Sequence, residues 1–202
     1  MKALLGLSRL IDSATRFIGQ WIAWLIVAAA LISAGNAVIR KIFDLSSNAW
    51  LELQWWLFAA VFLLAAPWTL ALNEHIRIDI VNERMPRWMR NAIEVIGHVF
   101  FLLPMAAIVT YTSWGFFVSS WQQNEQSSNY GGLAQWPVKF LIPLAFALLF
   151  VQGVSELIKR IAIISGDLPN DRLDGGHPAA ARTVGHLEVP AVAGDPTSDQ
   201  KR

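Results

Sequence analysis

Glu94 and His98 stand four residues apart, one helical turn, inside an otherwise apolar stretch. A carboxylate and an imidazole on one helix face suit either a structural hydrogen bond or a step in a proton or ion pathway. His98 lies about 12 Å inward from Arg90 at 1.5 Å per residue. A charge at the bilayer centre costs roughly 2.5–3.5 kcal/mol on insertion scales, so both groups should face protein rather than lipid. A second cluster is Asn73-Glu74-His75-Ile76-Arg77-Ile78-Asp79-Ile80. Its isoleucines alternate with Arg77 and Asp79, giving either a solvated, salt-bridged helix end or a specific contact surface. Glu52 stands beside Gln54, Trp55 and Trp56, where packing between helices or subunits is expected. Gln122, Gln123, Asn124, Glu125 and Gln126 offer adaptable hydrogen bonding between Trp121 and Trp136.

The elements that must position these residues are membrane spans. Four apolar stretches, 17–39, 51–72, 92–114 and 137–164, each reach the roughly 20 residues needed to cross about 30 Å of hydrocarbon as a helix. The fold expected is an all-α membrane protein of four transmembrane helices, preceded by an interfacial amphipathic helix. That first helix covers 1–16, where Leu4, Leu7, Ile11 and Ala14 recur at helical spacing; a disordered basic tail is the alternative. The bundle covers 17–165. The remainder, 166–202, is rich in Pro, Gly, Ala and Asp and reads as a disordered tail.

Lys2, Arg9 and Arg16 precede the first span, Arg77, Arg84, Arg87 and Arg90 follow the second, and Lys159 and Arg160 end the fourth. The other side has Arg40 and Lys41, and its long connection, 119–136, has no Lys or Arg. The positive-inside rule then puts both termini in the cytoplasm. Pro104 falls inside the third span and should kink it, whereas Pro86 and Pro137 mark helix starts.

Several chemistries are excluded. Without cysteine there is no thiolate catalysis, disulfide or Cys-based zinc site. No Gly-rich Lys-Ser/Thr phosphate loop occurs, and a net charge of +1 leaves no nucleic-acid footprint. Haem ligation would require histidines inside the bundle, and only His98 is clearly there, which weakens the reading as a respiratory-enzyme membrane anchor. Polar residues this isolated can form interfaces but outline no translocation path, which weakens the reading as a self-contained exporter.

Over roughly 17–160 the sequence resembles the small membrane subunit of tripartite ATP-independent periplasmic (TRAP) transporters, the DctQ-like or Q-type family. The resemblance rests on the four spans, Glu52 at the start of the second, Glu74-His75-Ile76-Arg77-Ile78-Asp79 after it, and Glu83-Arg84-Met85-Pro86. It implies a non-catalytic inner-membrane scaffold without a cofactor of its own. The implied partners are a large multispanning permease subunit, which holds the substrate and sodium sites, and a soluble periplasmic binding protein. Such a complex imports organic acids on a sodium gradient. In that setting Glu52, Glu74, His75, Arg77, Asp79, Glu94 and His98 are candidate assembly residues. Gln122 to Gln126 then form either a docking face for the binding protein or a passive solvated loop.

Overall fold

The computed structural model describes residues 2–44, 47–72 and 86–166. Glu74, His75, Arg77 and Asp79, and all of the expected tail except Gly166, lie outside the described residues. The described chain is helical: α1 (Lys2–Phe43), α2 (Asn48–Ala71), α3 (Arg87–Gly97), a π turn (His98–Leu102), α4 (Leu103–Gln122) and α5 (Trp136–Ile164). Among the described residues, four helical segments are long and apolar enough to cross a membrane, with α3, the π turn and α4 contributing one continuous segment, Asn91–Gln122.

Helix α1 runs through residue 16 without a break, so the amphipathic portion forms its first four turns. No proline interrupts it, and its 42 residues span about 63 Å, roughly twice a hydrocarbon core. The Trp68 ring of α2 packs against Gly19, where an added Cβ would clash with it. Helix α5 lies at the centre, against α1, α2, α3 and α4.

The expected irregularity in the third span is a π turn immediately before Pro104. Proline lacks an N–H and its ring crowds the carbonyl four residues back, so the ladder needs room at this point. The turn supplies it: the Leu103 N–H bonds to His98 O, five residues back. Helix α5 reaches the turn closely at Gly153, where a Cβ would lie 2.6 Å from Leu102 Cδ2.

Burial is inverted relative to a water-soluble fold. Gln152 and Ser155 are 0% exposed and Glu52 2%, whereas Phe62 is 80% exposed and Leu31 69%. Hydrocarbon solvates Phe and Leu at no cost but cannot hydrogen-bond an amide or carboxylate, so polar groups turn inward. Along the first turns of α1 the leucines Leu4, Leu7 and Leu10 face outward, while Ser8 and Thr15 are buried.

Candidate functional site

Polar side chains gather at the two ends of the bundle. At the end carrying the start of α1 and the end of α5, two complementary stripes meet. Ser8, Asp12 and Thr15 recur at i, i+4 and i+7 on α1, and Gln152, Ser155, Glu156 and Lys159 at i, i+3, i+4 and i+7 on α5. Gln152 joins them: its amide nitrogen donates to Asp12 Oδ1 (2.9 Å) and Glu156 Oε1 (3.0 Å), and its oxygen accepts from Thr15 Oγ1 (2.8 Å). Both donors and the acceptor of that buried amide are thus used. Ser155 Oγ donates to Asp12 Oδ1 at 3.0 Å and lies 2.7 Å from Ser8 Oγ. Lys159 completes the network, contacting Asp12 at 3.1 Å and forming an ion pair with Glu156.

The next residue of α5, Arg160, connects to α3. Its guanidinium pairs with the Glu94 carboxylate and donates to Asn91 Oδ1 at 3.1 Å. His98 Nδ1 lies 2.8 Å from the Glu94 carbonyl oxygen, so the two residues of the sequence pair are linked through backbone. Glu94 therefore ties α3 to α5.

At the opposite end, residues 123–135 form a compact hairpin. Ser127 N–H bonds to Leu133 O (3.0 Å) and Gln135 N–H to Glu125 O (2.8 Å), with an antiparallel bridge between Gln126 and Ala134. Glu52, in the second turn of α2, holds it from below. Its carboxylate accepts from Ser127 Oγ, from Asn129 Nδ2 (3.0 Å) and from the Leu133 N–H (2.7 Å). Asn48 Nδ2 adds a bond to Tyr130 O at 2.9 Å. Trp121 and Trp136 stack edge to face at 4.4 Å where α4 and α5 enter the hairpin.

The five residues expected to form a docking face divide between roles. Gln122 ends α4, Gln123 Nε2 donates to Ser119 Oγ (2.8 Å), and Gln126 Nε2 donates to Asn124 O (3.1 Å). Glu125 pairs with Lys139, whose ammonium also lies 4.1 Å from the Phe116 ring centroid. The hydrogen bond from Lys139, helped by Ser120, holds the Glu125 carboxyl below the usual carboxylate range. This link is complete above the ordinary carboxylate pKa and is lost as acidification passes the lowered value.

Sequence reading did not single out Asp12, Gln152, Glu156, Lys159, Asn91 or Arg160 as site residues. Lys159 and Arg160 read as topology signals at a helix end, yet both side chains are largely buried in ion pairs. The signal that would have found the α5 group is its single-face spacing within an apolar span.

Among the described residues, four membrane-competent helices joined by internal polar contacts define a multi-pass membrane protein. No curated protein and no solved structure matches the chain significantly. Residues 29–162, well over half of the chain, match the family described as Tripartite ATP-independent periplasmic transporters, DctQ component. The chain belongs to this family and is a small permease component of a TRAP transporter.

Proposed function

We propose that this chain is a fixed, non-catalytic scaffold in the bacterial inner membrane, holding a large multispanning permease subunit that moves substrate delivered by a soluble periplasmic binding protein. The observation carrying this reading is the family match over 29–162, which takes in the greater part of the membrane-competent region. Rigidity supports it: α1, α3 and α5 are tied by largely buried ion pairs, and the hairpin is keyed to α2 by a buried carboxylate. A scaffold against which another subunit moves needs fixed internal contacts. The Lys and Arg distribution favours both termini in the cytoplasm, with the hairpin in the periplasm. Transport draws on a sodium gradient, the substrates are organic acids, and this chain needs no cofactor of its own.

Co-expression with the large subunit tests the reading. The two chains should co-purify, and proteoliposomes holding both should take up organic acid only with the binding protein and an inward sodium gradient. Arg77→Ala or Asp79→Ala should weaken co-purification and lower uptake in proportion to lost complex. Transport by the purified small chain alone, or a haem spectrum, would replace the scaffold with an exporter or a respiratory anchor. Full assembly with altered sodium stoichiometry in either variant would move this chain onto the coupling pathway.

A further inference from the structure

Tyr130 stands at the tip of the hairpin with 98% of its surface exposed. Its side chain makes no hydrogen bond or ring contact among the described residues, while the backbone around it is held on every side. Its carbonyl accepts from Asn48, Gly132 N–H closes a turn onto Asn129 O at 3.0 Å, and Asn129 and Leu133 are fixed to Glu52. Gly131 adopts φ 69°, and a Cβ on Gly132 would lie 2.5 Å from Ser127 Cβ and 2.7 Å from Glu52 Oε1. Tight seating on Glu52 thus requires glycine at 132, and the ring is carried by a preset backbone.

We infer that Tyr130 is the anchor through which this subunit receives the soluble substrate-binding protein, and that Glu52 is the buried positioning residue that presets the tip; the inference rests on the transporter reading above. A rigidly carried aromatic ring supplies a large contact area while little freedom is lost on binding. Exposed Asn124 and Ser128 add polar, uncharged groups around it, as in surfaces that adapt to a protein partner.

The character of the partner follows from charge and position. Residues 123–135 contain no Lys or Arg, so an anionic lipid headgroup finds no cation there. Tyr130 lies eight residues beyond the end of α4 and six before the start of α5, past both helix ends, where a partner in water has access. The contact therefore centres on the tip rather than on 122–126, whose Gln123, Glu125 and Gln126 side chains already bond to Ser119, Lys139 and Asn124.

The assembled complex in nanodiscs is titrated with purified, substrate-loaded binding protein of the same transporter. Tyr130→Ala should weaken binding about 10- to 100-fold, as expected for an aromatic hot spot. Tyr130→Phe should recover most of the affinity, and Tyr111→Ala, on the exposed flank of α4, should leave it unchanged. Glu52→Gln should lower affinity with Tyr130 intact and speed amide exchange across 127–133, provided the permease still co-purifies. Wild-type affinity in Tyr130→Ala overturns this inference alone. Loss of the permease from Tyr130→Ala overturns it too, by assigning the tip to that subunit. No binding by the wild-type complex overturns both the inference and the proposed function.

Discussion

The guanidinium of Arg160 on α5 reaches the carboxylate of Glu94 on α3, and the two side chains are only 7% and 16% exposed. Removing one partner of a buried pair leaves the other desolvated, a loss of about 3–5 kcal/mol, against about 0–1 kcal/mol for a surface pair. We predict that Arg160→Ala destabilises the bundle by an amount in the first range. Arg160→Ala combined with Glu94→Ala should cost less than the sum of the single changes, measured by unfolding in mixed micelles. Strict additivity would show the two charges to be independently solvated.

Glu52→Ala should free the hairpin without unfolding the spans. The substitution removes the shared acceptor of Ser127, Asn129 and Leu133, and each donor left buried costs about 1–3 kcal/mol until water reaches it. Hydrogen exchange at the Leu133 amide should rise by orders of magnitude while exchange in α2 and α5 stays slow. An unchanged Leu133 amide would mean that the backbone bridge alone holds the loop.

Two glycines of α1 should respond with opposite signs. A methyl group at Gly19 meets the Trp68 ring at 2.4 Å, so Gly19→Ala should cost about 1–3 kcal/mol through overpacking. Gly35 has nothing within 4 Å of such a methyl, and Gly35→Ala should stabilise by up to about 1 kcal/mol through helix propensity. Parallel melting curves of the two variants decide the point; equal shifts would contradict the α1 and α2 contact.

The absence of cysteine makes topology directly measurable. Single cysteines at Ser128, in the hairpin, and at Ser165, just past α5, should react with an impermeant maleimide from opposite sides of the membrane, Ser128 from the periplasm. Reaction of both from one side would remove α5 as a span.

The spans were legible because roughly 20-residue apolar runs have few alternatives, and Pro104 marked the third one as irregular. The polar contacts were less so. Glu94 and His98 are neighbours on one helix, so local spacing suggested a mutual bond, and His98 Nδ1 does meet the Glu94 carbonyl oxygen; spacing gave no sign that the Glu94 carboxylate reaches Arg160, 66 residues later. Local periodicity says which residues share a face and nothing about which helix that face meets. Likewise the outward leucines of α1 suggested an interfacial helix, while the partner of its polar side is defined only by α5. Glu52 was visible as an odd carboxylate, but its donors lie 75 to 81 residues away in a loop whose fold depends on it.

The latch between α1 and α5 also fixes an order of events during synthesis. Asp12 and Thr15 find their partners in residues 137 to 147 positions later, on the last span to emerge. At about 5–20 residues per second, roughly seven to thirty seconds separate the two halves of the latch. Through that interval the first turns of the chain hold a carboxylate and two hydroxyls that hydrocarbon cannot satisfy, so they must wait at the water interface. Arrival of α5 supplies those partners, and a chain truncated before Gln152 cannot form the latch.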